Sequence, residues 1–343
     1  MLLFVIAFAS CGPASTAPSS EPTVSPTSSR TPSVAPTVPA TAPGTGPVSR
    51  PPATSTPITL PTTAQLAAAG SGVLWALVAD SRLFRSTDRG DTWQERQLPQ
   101  AAVFLARIAF VSDRDGWMLV AGTPGTQCQA QTVRLYRTSD GAATWQLLEA
   151  RGIAEGRCKD TLAFTDLTKG FITAGDGNGR PIVYRTSDGG LSWAASAPLP
   201  DPPGFSTSGS GVTLRAGPIA NFGPRLLVDG TGYQVGRENH DIFQSTDGGA
   251  EWSYIATAPQ GVPAVFLTPS RWIQLVSGDQ SRETTDGGGT WHTLATDYSQ
   301  AAPVAAQVVF GDGALGYATT RGSIQRTSDG GLRWGYIKTP GTQ

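Results

Sequence analysis

Several polar residues in this chain have the types and spacing needed to recognise another molecule. Arg151, Glu155, Arg157, Lys159 and Asp160 fall in one short stretch; Asp176, Asn178 and Arg180 follow, and Arg237, Glu238, Asn239 and His240 make a third group. Guanidinium and ammonium groups interspersed with carboxylates can bind a carboxylate, a sugar or a protein surface. For catalysis they offer little. Asp160 with Glu238 is one carboxylate pair that could serve as acid and base on a glycosidic bond. Two histidines, His240 and His292, are too few for a metal cluster, so no metal and no cofactor is expected. Asp176-Gly177-Asn178-Gly179 lacks the remaining ligands of a calcium loop and reads as a turn. No Gly-x-Ser-x-Gly elbow or phosphate loop is present. A net charge of -1 gives no electrostatic reason to expect nucleic acid.

The elements that must position these residues come from a repeat. Ser86-Thr87-Asp88-Arg89-Gly90-Asp91-Thr92-Trp93 recurs at Thr138, Thr186, Ser245, Thr284 and Thr327, always as Ser/Thr-x-Asp-x-Gly-x-x-Trp except that Ala142 replaces the Gly of the second copy. The Asp carboxylate and Ser/Thr hydroxyl suit a turn with free backbone groups, and the Gly tolerates positive φ. The Trp then opens a strand and can bury its ring at the hairpin base. Asp88, Asp140, Asp188, Asp247, Asp286 and Asp329 are therefore structural. Upstream of the last five copies lies an apolar strand, a polar turn and a strand opening on Gly and an aromatic. Phe110 precedes Gly116-Trp117, Phe164 precedes Gly170-Phe171, Val228-Asp229 precedes Gly232-Tyr233, and Phe310 precedes Gly316-Tyr317; the copy at Phe266 and Trp272 lacks the Gly. Together these make four antiparallel strands per unit, which is one propeller blade.

This arrangement resembles the Asp-box (BNR repeat) β-propellers, a group that includes sialidases, sortilin-type receptors, xyloglucanases and photosystem II assembly factors. The resemblance covers about Ala64 to Pro340, and the Phe-x-x-Asp, Gly-Trp and Arg-Thr-Ser-Asp-Gly-Gly segments look most like the photosystem II assembly factors. It implies an all-β propeller and leaves the activity open. The motif aspartates are spaced by 52, 48, 59, 39 and 43 residues, too close to hide a further blade. Six blades are expected, where the assembly factors would suggest seven. A sialidase would need an arginine cluster, a Tyr nucleophile and an Arg-Ile-Pro segment that is missing here. Tyr136 and Tyr184 sit in strands before the repeated turns and read as packing residues. The xyloglucanases pair two propellers around their cleft.

In a blade of four up-and-down strands, the repeated turns join strands 3 and 4 and share a face with the 1–2 turns. The 2–3 loops and the connections between blades share the other, and the resemblance places ligand sites there or at the central channel. Cys128, in a 2–3 loop, and Cys158, in the following connection, fall on that second face and are expected to form a disulfide. Its polar groups are the candidate binding residues named above.

The N-terminal residues carry different signals. Met1–Ser10 is apolar and too short to span a bilayer, as in a signal peptide, and its lack of a basic start points to translation beginning upstream. Phe8-Ala9-Ser10-Cys11 resembles a lipobox whose cysteine is lipidated. Residues 12–63 are rich in Pro, Ser and Thr, a composition with too little apolar surface to fold. The expected layout is thus a signal peptide and lipobox over 1–11, a disordered linker over 12–63 and a propeller over 64–343. The expected protein is a monomeric, extracytoplasmic lipoprotein, touching the membrane only through its anchor. It binds a protein or glycan partner; the alternative is an exo-acting glycoside hydrolase.

Overall fold

The computed structural model describes residues 64–70, 72–99, 104–175, 180–209, 211–234, 237–259, 261–299, 306–320 and 322–340. Cys11, the linker and Asp176 lie outside them, as does the side chain of Arg237.

The described chain is a six-bladed β-propeller, and each blade is one continuous piece of sequence. Blade 1 is β1 (Gln65–Ala69), β2 (Val73–Val78), β3 (Arg82–Ser86) and β4 (Gln94–Arg96). Blade 2 is β5 (Leu105–Phe110), β6 (Gly116–Ala121), β7 (Val133–Thr138) and β8 (Gln146–Leu148). Blade 3 is β9 (Cys158–Phe164), β10 (Gly170–Gly175), β11 (Pro181–Thr186) and β12 (Ala194–Ala195). Blade 4 is β13 (Thr213–Ala216), β14 (Ala220–Phe222), β15 (Arg225–Gln234), β16 (Arg237–Ser245) and β17 (Ser253–Ala258). Blade 5 is β18 (Val265–Phe266), β19 (Trp272–Gln274), β20 (Arg282–Thr284) and β21 (His292–Thr293). Blade 6 is β22 (Val308–Phe310), β23 (Gly316–Thr320), β24 (Ser323–Thr327) and β25 (Gly335–Ile337). Helix is confined, among the described residues, to two single 3₁₀ turns.

Blade 4 corrects the sequence reading. Val228-Asp229 and Gly232-Tyr233 do not flank a 1–2 turn; all four lie within the single long strand β15. The inner strand is interrupted at Gly217-Pro218-Ile219, so β13 and β14 both pair with β15, and the turn falls at Gly223-Pro224. Proline cannot donate to a ladder, which explains the break.

The recurring sequence pairs have packing causes. A Cβ on Gly116 would stand 2.1 Å from Phe110, and one on Gly170 or Gly316 would stand 2.5 Å from Phe164 or Phe310. The opening glycine of strand 2 therefore makes room for the ring of strand 1. That ring also meets the preceding blade: Trp75 stacks on Phe110 and Trp117 on Phe164, each with centroids 3.7 Å apart. Blade-to-blade packing of this kind makes the core a series of aromatic and aliphatic clusters between sheets.

The repeated turns close on themselves. In the first copy, the Ser86 hydroxyl donates to Asp88 Oδ1 (2.8 Å) and accepts from the Gly90 N–H (2.7 Å). Thr92 donates its N–H to Oδ1 (2.9 Å) and its hydroxyl to Oδ2 (2.6 Å) of the same aspartate. Gly141, Gly189, Gly287 and Gly330 donate N–H to carbonyls of their own blade's 1–2 turn, placing both turns on one face.

Side chains close the ring. Gln307, just before β22, accepts from the Leu66 N–H (2.6 Å) and donates to the Leu66 carbonyl (3.2 Å) across the junction of blades 6 and 1. Gln65 repeats this bond pair with Ile108 between blades 1 and 2. Arg107 donates from Nε to the Asp160 carbonyl (2.8 Å) between blades 2 and 3. Thr173 donates to the Ala216 carbonyl (3.0 Å), and Asp229 accepts from the Ala264 N–H (2.8 Å), joining blades 3–4 and 4–5.

Candidate functional site

The inner strands enclose a central cavity of about 740 Å³. In blades 2, 3, 5 and 6, counting back from the aromatic that closes the inner strand explains its lining. One residue back lie Ala109, Ala163, Val265 and Val309, which with Ala67 of blade 1 and Ala220 of blade 4 make a collar of small apolar groups. Three back lie Arg107, Thr161, Pro263 and Gln307, joined in the lining by Gln65 and Pro218; from this set Gln65, Arg107 and Gln307 make interblade bonds.

Towards the face of the 2–3 loops this cavity has a charged mouth. Asp80 sits in the tight 2–3 turn of blade 1, where it and Ala79 both adopt φ of 51°. Arg107 is half-buried on β5, with Nε and Nη1 committed to the Asp160 and Ala106 carbonyls. Asp160 is the extra residue of a bulge in β9, where the register shifts between Thr173 and Ala174. Arg215 is exposed on β13. Burial pushes the carboxyls of Asp80 and Asp160 above their ordinary values; Arg107 opposes this at Asp80, and Arg215 and Arg107 oppose it at Asp160. Burial also lowers the Arg107 guanidinium, against the attraction of Asp80 and Asp160.

The residues singled out from sequence are dispersed by the fold, and only Asp160 reaches this mouth. Arg151 pairs in parallel with Ser192 and so lies against the repeated turn of blade 3, away from the loop face. The connection between blades leans on the neighbour's turn, as the Trp193 N–H bond to the Arg151 carbonyl (2.8 Å) shows. Lys159 is not a surface group: it is buried, and Nζ donates to the carbonyls of Ala154 (2.6 Å) and Arg157 (2.6 Å). Burial lowers its ammonium to about 8. Arg157 bonds the Arg180 carbonyl (3.4 Å), and Arg180 Nε stands 4.0 Å from Asp201. Glu155 is exposed in the same loop.

His240 is also not a loop residue. It lies wholly buried in β16, with Nδ1 3.1 Å from Asp229 Oδ1 and Nε2 3.6 Å from Glu238. Burial pushes its pKa down, but the Asp229 bond and the charges of Asp229, Glu238 and Asp241 outweigh this and raise it. Asp160 and the exposed Glu238 stand on different blades, three and four. Cys128 and Cys158 are joined by a disulfide across 30 residues, with Cys158 opening β9 rather than lying in the connection before it.

Asp80, Arg107 and Arg215 escaped the sequence reading because each is an isolated charge in a strand or turn. The signal that finds Arg107 is its place three residues before Phe110, a channel-facing position whose counterparts are known once the blades are aligned.

The carboxylates of the repeated turns are occupied differently. Thr144 and Thr138 hydroxyls and the Thr144 and Ala143 N–H groups hold Asp140 at about 2. Ser192 leads the corresponding set that holds Asp188 at about 2, against the opposing effect of burial. Such groups are saturated as acceptors and leave little for a ligand.

Comparison with known proteins agrees with this fold. Residues 48–215 match the family model described as DUF6242 beta propeller domain. Xyloglucanase Xgh74A of Acetivibrio thermocellus is 25% identical over 194 residues, covering 50% of this chain and 22% of that enzyme. The chain thus spans about a fifth of the curated relative it matches. Among solved structures, SapL1 lectin in complex with alpha methyl fucoside aligns with a TM-score of 0.52 at 14% identity, covering 82% of this chain and 98% of that one. YCF48 from Cyanidioschyzon merolae aligns with a TM-score of 0.49 at 15% identity, covering 81% and 86%. Identities this low speak to the propeller fold alone. What the chain is similar to is therefore a set of propellers with differing activities.

Proposed function

We propose that this protein is an extracytoplasmic binding or assembly lipoprotein of the Asp-box kind, anchored at Cys11, whose propeller takes a protein or glycan partner at the channel mouth. The observation that carries this reading is the contrast between the two faces. On one, the aspartates of the repeated turns are consumed by their own turns. On the other, Asp80 and Arg107 line an apolar cavity, with Asp160 joined to Arg107 through its carbonyl and Arg215 acting on the Asp160 carboxylate, a combination of charge and apolar lining usual for a binding site. The disulfide pins the 2–3 loop of blade 2 to the first residue of β9, two residues before Asp160.

The anchor and linker supply the rest of the reading. A Pro-rich tether over 12–63 would hold the propeller clear of the membrane. Radiolabelled fatty acid fed to producing cells should mark the wild-type protein and not Cys11→Ser, which should leave the membrane fraction. For the mouth, Arg215→Glu should abolish retention of an envelope or glycan ligand while leaving the melting temperature unchanged, because Arg215 is exposed. Retention unaffected by Arg215→Glu would remove the mouth from the proposal.

A second reading is favoured by one observation: Asp80 and Asp160, both with carboxyls raised by burial, flank Arg107 in the order of the blades. Together with the sequence likeness to a xyloglucanase, this allows a glycoside hydrolase, in which a raised carboxyl serves as the acid. Turnover of xyloglucan or a sialoside that disappears in Asp160→Asn would establish it in place of the binding role.

A further inference from the structure

The charges at the mouth alternate. Blades 1 to 4 contribute Asp80, Arg107, Asp160 and Arg215 in that order, negative and positive in turn, for a net charge of zero with all four ionised. Among the described residues, the side chains of Asp80, Asp160 and Arg215 make no hydrogen bond or ion pair, and Nη2 of Arg107 makes none either. Hydrogen-bonding capacity of both kinds is therefore left open along one arc. Asp80 and Arg107 line the same cavity as the collar of Ala67, Ala109, Ala163, Ala220, Val265 and Val309.

We infer that this mouth binds a small zwitterion, with its carboxylate on Arg215 and the free edge of Arg107, its ammonium on Asp160 and Asp80, and a short apolar substituent in the collar. The inference rests on the mouth being the binding surface, and it names a ligand class for it. A simple anion set on the arginines would also face two carboxylates, and a simple cation would face two guanidiniums; in each case like charges cancel much of the attraction. A molecule carrying both charges satisfies all four groups. A neutral sugar could exchange hydrogen bonds with the arc, but its hydroxyls would gain nothing from methyl groups below. An aliphatic side chain does gain there, since burying each methylene contributes favourably and the collar presents no polar atom to leave unpaired. Arg107 is preorganised for this: two of its donors are fixed on backbone carbonyls, so its remaining edge is held in place before any ligand arrives.

The test uses the full chain and four probes measured by isothermal titration: L-leucine, N-acetyl-L-leucine, L-leucinamide and a xyloglucan oligosaccharide. L-leucine should bind about tenfold or more tightly than the acetylated or amidated forms, each of which lacks one charge. Arg215→Gln should weaken leucine about tenfold and leave the melting temperature unchanged, and Asp160→Asn should weaken it comparably. Equal binding of N-acetyl-L-leucine would make this an anion site, and equal binding of L-leucinamide a cation site; either overturns the inference. So does preferential binding of the oligosaccharide, or no heat with leucine at millimolar concentration. The broader reading fails separately. If leucine does not bind but an envelope partner is still lost in Arg215→Glu, the zwitterion is wrong and the binding face stands. If leucine binds and that partner is indifferent to the mouth, the converse holds.

Discussion

At the scale of single residues, the repeated turn shows why its sequence is so constrained and where this chain departs from it. Two consecutive residues after each Asp adopt positive φ: Gly189 and Gly190 at 74° and 100°, and likewise Gly330 and Gly331 at 73° and 97°. The first copy places Arg89 at the first of these positions, at 63°, with its side chain exposed and interacting only through its charge with Asp312 and Tyr317 among the described residues. Arg89→Gly should therefore stabilise the protein by about 0.5–1 kcal/mol, visible as a higher midpoint in urea unfolding, because the bond from Arg326 to this residue uses only its backbone carbonyl. The motif aspartates make a second prediction. Asp140 and Asp188 titrate at about 2 when folded, below the ordinary unfolded value of about 3.9. Their stabilisation is complete above that unfolded value and is lost as the pH falls through the folded one. Asp80 and Asp160 run the other way, since their raised folded values mean that acid relieves their burial. The lowered aspartates outnumber them, so the melting temperature should fall steadily between about pH 4 and about pH 2. Asp188→Asn should flatten part of that slope; an unchanged slope in this variant would show that the turn carboxylate contributes nothing to it.

At the scale of the strand, the Gly-aromatic opening of strand 2 is a packing device. Phe110 lies between the missing Cβ of Gly116 and the Trp75 ring stacked on it at 3.7 Å, so it cannot move aside. Gly116→Ala should cost about 2–3 kcal/mol, whereas Gly335→Ala, which would meet no atom within 4 Å, should cost far less. Denaturant midpoints of the two variants compare these directly. Local pairings of this kind made the architecture legible. The Ser/Thr, Asp and Gly of each turn interact within a few residues, and with the Trp that follows at fixed spacing they point to four-stranded blades and six of them. What was not legible depended on register and on distant chain. Asp160 reaches the mouth because a bulge in β9 shifts it out of the strand alternation. Lys159 and His240, both hydrophilic by type, are buried by partners such as the Ala154 carbonyl and Asp229, which sequence order does not place beside them. Val228-Asp229 imitated the end of an inner strand, since nothing local shows that Pro218 had already broken it.

For the whole molecule, the decisive feature is how the ring closes. No strand of blade 6 is supplied by the N-terminal part of the described chain, so the junction of first and last blades lacks the shared sheet that would lock it. It depends instead on side chains: Gln307 on both polar groups of Leu66, Arg326 on the Arg89 carbonyl (2.8 Å) and Asp91 (3.0 Å), and Trp93 Nε1 on the Lys338 carbonyl (2.7 Å). Gln65 makes an equivalent bond pair to Ile108, but at a junction where the chain itself also runs from one blade to the next. The two glutamines therefore perform the same local task under different global constraints. Removing either leaves buried backbone groups short of a partner, at a cost of about 1–3 kcal/mol. Only at the first junction can the loss propagate, since blades 1 and 6 can separate there without any loop being stretched. Gln307→Ala should accordingly speed amide hydrogen exchange throughout β1 and β22 under conditions where the other blades remain protected. Gln65→Ala should lower the global midpoint by a similar amount without that local opening. If both variants exchange alike, the junction is no weaker than the others, and the apolar packing of Leu66, Leu74, Leu315 and Tyr317 across it is sufficient to hold the ring shut.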